Sequence, residues 1–265
     1  MSRISTQEFK LEVPEGHVYA RKWSPENPSF DVPLVLLHDS LGSVDLWREF
    51  PQSLAKQLSR SVIAYDRLGF GKSAARTTLP SIHFIEEEAT DYFPYIKQQL
   101  GIDRYLLLGH SVGGAMSINI AARDADCQGV ITMAAQAFVE QQTISEIARA
   151  KTLFAQPGQL ERLQKWHGEN ARWVLNAWTD VWLNPEFANW SLESSISDVK
   201  CPILALHGEE DEYGSVAFPE FIAGKSRGPA AMHVLKQCGH MPHKEKTEEV
   251  ISSIRDFLGQ YSVAA

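Results

Sequence analysis

A serine between two glycines, in Gly109-His110-Ser111-Val112-Gly113, follows an aliphatic run and precedes a stretch of small residues. The aliphatic run, residues 105–108, predicts a buried strand, and residues 116–123 predict a helix. The pattern Gly-x-Ser-x-Gly between a strand and a helix is typical of a sharp turn that presents the serine hydroxyl at a helix N-terminus. We therefore predict that Ser111 is a nucleophile.

A serine hydroxyl becomes a good nucleophile only when a base removes its proton and a third group orients that base. His240 follows the last predicted strand, and Asp211 follows the strand before it. The chain order Ser111, Asp211, His240 is the order in hydrolases with this turn, so we predict these three as catalytic residues. Other carboxylates and histidines compete less well on position: Glu209, Glu210, Glu212, His38, His110, His207, His233 and His243.

The oxyanion that forms on nucleophilic attack requires preorganised N–H donors. The backbone N–H of Val112, directly after the nucleophile, is the first predicted donor. The second is expected in the loop after the strand at residues 33–37, where we predict the N–H of Ser40, with those of Asp39 and Leu41 as alternatives.

Strand and helix patterns alternate along most of the chain. A hairpin over residues 9–23 comes first, and six further apolar runs predict strands at 33–37, 61–65, 105–108, 129–133, 201–206 and 231–235. Such alternation predicts an α/β fold with a mainly parallel eight-stranded sheet covered by helices on both faces. Functional groups are then expected at the carboxyl ends of the strands.

The alternation stops between residues 136 and 198, which are helical in pattern and contain five of the seven tryptophans. We predict a hydrolase core at residues 1–135 and 199–265, with residues 136–198 inserted as a helical lid. The tryptophans serve either to pack the lid or to line a substrate pocket. The predicted pocket residues are Asp39, Leu41, His110, Trp166, Trp178 and Trp182.

The chain has 265 residues and a formal net charge of −8, which argues against a nucleic acid partner or an anionic membrane surface. No apolar run approaches the roughly 18 residues of a membrane span, and the first eight residues lack the apolar core of a signal peptide. The three cysteines, which are widely spaced, predict neither a disulfide framework nor a metal site. We expect a cytoplasmic monomer or homodimer that uses no cofactor or metal.

The motifs together resemble the α/β-hydrolase fold superfamily, in particular its lidded carboxylesterases, enol-lactonases and carbon–carbon bond hydrolases. The stretches that carry the resemblance span nearly the whole chain: residues 38–43, 65–73, 109–113, 208–211 and 239–240. One departure is His38-Asp39, where family members usually have His-Gly. It leaves the second oxyanion donor open, and it adds a carboxylate that either orients the loop or contacts substrate.

The resemblance and the three predicted catalytic residues imply a serine hydrolase that acts on an ester, lactone or thioester of a small or medium acyl compound. Two alternatives use the same residues: an enzyme for carbon–carbon bond hydrolysis or haloperoxidase-type perhydrolysis, and a ligand receptor with slow turnover. The aromatic and aliphatic residues of the predicted lid favour an uncharged or apolar acyl group, although Arg149, Arg162 and Arg172 offer partners for a carboxylate.

Overall fold

The sheet has eight strands in the order β1-β2-β4-β3-β5-β6-β7-β8, in a computed structural model that describes residues 3–261. β1 pairs antiparallel with β2 and β2 antiparallel with β4, and all other pairs are parallel. The strands are β1 (Ile4–Val13), β2 (Gly16–Pro25), β3 (Phe30–Leu37), β4 (Arg60–Tyr65), β5 (Tyr105–His110), β6 (Cys127–Met133), β7 (Ile203–Gly208) and β8 (Ala230–Leu235). The predicted fold class is confirmed.

Eleven α-helical segments accompany the strands in the described part of the chain. They are α1 (Phe50–Leu58), α2 (Phe84–Glu87), α3 (Phe93–Leu100), α4 (Val112–Arg123), α5 (Gln141–Phe154), α6 (Gln159–His167), α7 (Ala171–Trp182), α8 (Glu193–Ile196), α9 (Ala217–Lys225), α10 (Pro242–Glu245) and α11 (Thr247–Gln260). None of these helices is long and apolar enough to cross a membrane.

Side chains of each central strand alternate between two hydrophobic cores, because successive residues of a strand point to opposite faces. In β3, Leu34 and Leu36 join the core formed with α1 and α11, whereas Val35 and Leu37 join the core formed with α3, α4 and α9. All six residues of β5 are buried. A strand with two apolar neighbours and two covered faces is rigid, and β5 leads directly into Ser111.

The helical segment over residues 84–100 is interrupted. α2 ends at Glu87, a π-helical turn spans Glu88–Tyr92, and α3 begins at Phe93 with Pro94 in its first turn. Proline fits the first turn of a helix but breaks the hydrogen bonds of a helix interior, so the break falls where Pro94 requires it. Glu88 is buried in this turn and accepts a hydrogen bond from the Tyr65 hydroxyl at 2.6 Å.

The helices α5–α8 lie between β6 and β7, and we call them the helical insertion. Its first helix is bonded to the loop after β7, since the Thr143 hydroxyl donates to the Tyr213 carbonyl at 2.7 Å. Farther along, the His167 ring accepts from the Gly71 N–H at 2.9 Å and donates to the Leu41 carbonyl at 3.0 Å. The insertion is thus tied to three loops at the carboxyl ends of the strands.

Candidate active site

Ser111 lies on a strained turn between β5 and α4. Its backbone angles are φ 55° and ψ −126°, outside the regions that non-glycine residues usually adopt. A Cβ atom at Gly109 would collide with the backbone of Gly113, and one at Gly113 would collide with the carbonyl of Leu37. The two glycines therefore permit the tight turn, and they also permit the first turn of α4 to pack against the end of β3.

The loops that carry Asp211 and His240 are joined to each other by backbone contacts. The N–H groups of Glu209 and Glu210 donate to the carbonyls of Leu235 and Cys238, both at 2.9 Å. A Cβ atom at Gly208 would collide with the backbone of the His240 loop. This close approach brings an acid after β7 next to a base after β8.

Ser111, His240 and Asp211 form a continuous hydrogen-bonded line. The Ser111 Oγ lies 3.0 Å from His240 Nε2, and His240 Nδ1 lies 2.9 Å from both carboxylate oxygens of Asp211. All three side chains are buried, and Asp211 also accepts from the Tyr213 N–H at 2.8 Å. The carboxylate holds the proton on Nδ1, so Nε2 is free to accept the serine proton.

The acid and the base shift each other's pKa. Burial lowers the pKa of His240, but the hydrogen bond and charge of Asp211 outweigh burial and raise this pKa above 6.5. Burial raises the pKa of Asp211, but the hydrogen bond and charge of His240 outweigh it and lower this pKa below 3.8. The arrangement favours an ionised acid next to an imidazole that can take up a proton.

The first loop, after β3, is held by buried polar contacts. The His38 ring donates to the Asp39 carbonyl at 2.7 Å and accepts from the Arg67 N–H at 3.1 Å. The Arg67 guanidinium also donates to the Asp39 carbonyl at 2.9 Å. Ser40 follows Asp39 in this loop, and Val112 opens α4, whose first turn packs against the end of β3. Ser40 lines the same cavity as Ser111, and Val112 directly follows Ser111 in the chain; the oxyanion role of both residues stays a prediction.

A cavity of about 170 Å³ opens next to Ser111. Four of the predicted pocket residues line it, namely Asp39, Leu41, Trp178 and Trp182, as does the predicted oxyanion residue Ser40. Trp166 and His110 do not line this cavity. They line an adjoining one of about 370 Å³ between the core and the helical insertion. Asp39, Leu41 and Met241 line both cavities.

His110 is buried beside the hydrogen-bonded line of Ser111, His240 and Asp211, and it does not line the cavity next to Ser111. Its Nε2 donates to the His240 carbonyl at 2.7 Å. Burial lowers the pKa of His110 to about 4, so its ring is neutral near pH 7. The residue supports the His240 loop, and its position within the serine motif gave no indication of this contact.

Three residues with site contacts were missed from the sequence. Gln136 follows β6 and lies 3.2 Å from the Ser111 Oγ. Glu245 accepts from the N–H groups of Gly239 and Met241 at 2.7 and 3.0 Å, and so fixes the loop around His240. His167 ties the helical insertion to Leu41. No sequence motif identifies any of the three. Glu245 lies five residues after His240, so a contact with the His240 loop could have been expected from its position.

Among residues 3–261, no cluster of three or more histidine, cysteine, aspartate or glutamate side chains is placed to hold a metal ion.

Comparison with known proteins decides the family. The alpha/beta hydrolase fold profile matches residues 32–247. The chain belongs to the α/β-hydrolase family. It is 22% identical to a proline iminopeptidase of Lactobacillus crispatus (strain ST1), over 86% of this chain and 90% of that protein.

Solved structures share the fold of this hydrolase family member. A membrane phospholipase A, described as a bacterial virulence factor, superposes with a TM-score of 0.78 and 19% identity, over 97% of this chain and 87% of the other. The enol-lactonase from Burkholderia xenovorans LB400 gives a TM-score of 0.74 and 19% identity, over 95% of this chain and 100% of the other. At such identities the likeness establishes the fold alone, because one fold hosts many different activities.

Proposed function

We propose that this α/β-hydrolase is a serine hydrolase that cleaves an ester, lactone or thioester through an acyl-enzyme. The observation that carries the proposal is the hydrogen-bonded line from Ser111 Oγ through His240 to Asp211, with distances of 3.0 and 2.9 Å. A nucleophile, a base and an orienting carboxylate in this order are sufficient for acyl transfer without a cofactor.

In the proposed mechanism, the Ser111 Oγ attacks the substrate carbonyl carbon while His240 Nε2 takes the hydroxyl proton. Asp211 stabilises the imidazolium that results, and the N–H groups of Val112 and Ser40 stabilise the oxyanion. His240 then protonates the leaving group as the bond to it breaks. A water molecule, activated by His240, attacks the acyl carbon, and the acid is released as Ser111 recovers its proton.

The size of the catalytic cavity supports a small acyl group. An apolar cavity of about 150 Å³ holds one benzene molecule, and the cavity next to Ser111 measures about 170 Å³. The larger adjoining cavity, about 370 Å³, shares Asp39, Leu41 and Met241 with it but does not include Ser111 in its lining. We propose that the helical insertion acts as a cap that covers the catalytic cavity, since Trp178 and Trp182 of α7 line it.

The charges around the catalytic cavity argue against an anionic acyl group. Asp39 and Glu212 line it, and none of the described lysines or arginines does. Arg162 lines the adjoining cavity, while Arg149 and Arg172 line neither. A carboxylate on the acyl chain would therefore meet like charge, so we propose an uncharged acyl group. We also propose a cytoplasmic location, because Cys127, Cys201 and Cys238 are free thiols and thiols persist in a reducing compartment.

Hydrolysis of p-nitrophenyl esters of increasing acyl length tests the proposal. We expect rapid turnover of the shorter esters by the wild type, and a fall in kcat of about 10⁴-fold or more in Ser111→Ala. Ser117→Ala is the matched control, because Ser117 lies on α4 and its hydroxyl bonds only to the Gly113 carbonyl within the described residues. Equal turnover in wild type and Ser111→Ala would refute an acyl-enzyme at Ser111.

A further inference from the structure

The turn after β6 carries a glutamine to the nucleophile. β6 is the parallel neighbour of β5, and the Ser111 N–H donates to the Met133 carbonyl at 2.9 Å. Ala134 then adopts a left-handed backbone, with φ 50°, while its N–H donates to Leu206 at 2.9 Å. Two residues after Ala134, the Gln136 side chain reaches Ser111.

The Gln136 amide edge faces the serine hydroxyl. Its Nε2 and Oε1 atoms each lie 3.2 Å from the Ser111 Oγ. Gln136 is 5% exposed and lines the catalytic cavity. Within residues 3–261, Ser111 is the only hydrogen-bond partner of this amide.

Hydrogen-bond counting fixes how the amide is used. A serine hydroxyl has one proton and can accept further hydrogen bonds. Asp211 holds the proton on Nδ1 of His240, so Nε2 is an acceptor and takes the Ser111 proton. The amide oxygen of Gln136 therefore has no proton to accept from Ser111. The productive contact is the Gln136 Nε2–H donating to the Ser111 Oγ.

We propose that Gln136 is a catalytic residue that stabilises negative charge on the Ser111 Oγ. The inference rests on the proposed serine hydrolase function. During attack, the O–H bond of Ser111 breaks towards His240 as the Oγ–carbon bond forms. During deacylation, the Oγ–carbon bond breaks and the Oγ recovers its proton from His240. In both steps the oxygen gains partial negative charge, and a hydrogen bond to a charged acceptor is stronger than one to a neutral acceptor.

The surroundings of Gln136 do not require an amide for packing. Ile147, Trp178 and Trp182 line the same cavity, and its charged lining residues Asp39 and Glu212 make no hydrogen bond to Gln136. Burying an amide among them costs free energy unless it is hydrogen-bonded. Since its partner is the nucleophile, the hydrogen bond affects the reaction more than the fold.

Gln136→Met tests the inference, because methionine has a similar length and no N–H donor. We expect kcat for a short p-nitrophenyl ester to fall about tenfold or more, with KM changed less than about twofold. An interaction that strengthens in the transition state lowers kcat without affecting KM when it is lost. Stopped-flow measurements should show that acylation and deacylation are both slowed. Gln128→Met is the control, since Gln128 lies on β6 at the end of the strand farther from Gln136.

Gln136→Glu provides a second test, the pH dependence of the rate. A purely structural role of Gln136 would not produce such a dependence. An ionised carboxylate only accepts hydrogen bonds, so it would draw the Ser111 proton away from His240 and reduce kcat more than methionine does. Protonation of the introduced carboxyl restores a donor. The ratio of the Gln136→Glu rate to the wild-type rate should therefore rise as the pH is lowered.

The outcomes separate this inference from the proposed function. If Ser111→Ala abolishes turnover while Gln136→Met keeps kcat within twofold, the function stands and the role of Gln136 is wrong. A raised KM at unchanged kcat would also overturn it, because it would indicate a ground-state contact with substrate. If Gln136→Met lowers the thermal midpoint, the pH dependence of Gln136→Glu decides, and an unchanged rate ratio overturns the inference.

Discussion

His240 and His110 have their ring centroids 5.1 Å apart and are both buried, yet their acid–base properties differ. The pKa of His240 is raised, whereas burial lowers that of His110 to about 4. Both rings have a carboxylate nearby, but at different distances: His240 Nδ1 is hydrogen-bonded to Asp211 at 2.9 Å, whereas the Asp39 carboxylate lies 3.9 Å from His110 Nδ1 and does not offset burial. A carboxylate within hydrogen-bond distance outweighs burial at His240, while a carboxylate at 3.9 Å does not do so at His110.

Among the substitutions considered, Asp211→Asn should have the largest effect on the ability of His240 to act as a base. An amide in place of the carboxylate would donate to His240 Nδ1 and move the ring proton to Nε2, where it blocks acceptance of the serine proton. We expect kcat for a p-nitrophenyl ester to fall about 10⁴-fold. Glu210→Gln, at the exposed neighbouring position, is the control. Retention of a tenth of wild-type activity in Asp211→Asn would show that His240 does not depend on Asp211.

The pH profile of kcat/KM tests the difference in pKa between His240 and His110. His240 must be neutral to accept a proton, and its pKa is raised above 6.5. Activity should therefore increase with pH through a midpoint above 6.5 in the free enzyme. His110 and His243, whose pKa values are lowered by burial, are already neutral there and should not contribute to this limb.

The pH profile of kcat/KM also tests the effect of Asp39 on His240. The charge of Asp39 contributes to the raised pKa of His240. Asp39→Asn should move the midpoint to lower pH by a fraction of a unit. Asp103→Asn serves as the control, because Asp103 is exposed and precedes the amino end of β5. An identical midpoint in all three proteins would mean that the Asp39 charge does not reach His240.

The smallest effect is expected for His243→Phe. His243 packs against Trp47 and His110 at centroid distances of 4.9 Å, and its Nδ1 has no hydrogen-bond partner among the described residues. Replacing a buried imidazole with an aromatic ring of similar shape should change the free energy of unfolding by less than about 1.5 kcal/mol. Urea denaturation and ester hydrolysis measure the outcome. A loss of activity comparable to that of Asp211→Asn would assign His243 a chemical role.

The sequence predicted the strands and the Ser111 turn because both are specified locally. Glycine spacing determines the turn at Ser111, and continuous apolar runs such as Leu34–Leu37 identify strands buried on both faces. Asp211 and His240 were predictable because strand ends gather at one edge of a parallel sheet. The family relationship, residues 32–247, spans the same elements.

Contacts that depend on side-chain direction could not be predicted in this way. Trp166 and Trp178 belong to the same helical stretch of sequence, yet they line different cavities. Gln136 reaches Ser111 only because Ala134 adopts a left-handed backbone, which alanine seldom does. Both outcomes depend on tertiary packing, and neither leaves a periodic or compositional pattern in the sequence.

The strained backbone of Ser111, at φ 55° and ψ −126°, lowers the free energy of unfolding of the chain. Strained residues of this kind cost on the order of 1–3 kcal/mol each, in a domain whose total stability is only about 5–15 kcal/mol. Packing of β5 against the buried strands β3 and β6 stabilises the fold by enough to keep the turn in place. Substitutions that relax this turn should therefore stabilise the domain while they displace the Ser111 hydroxyl.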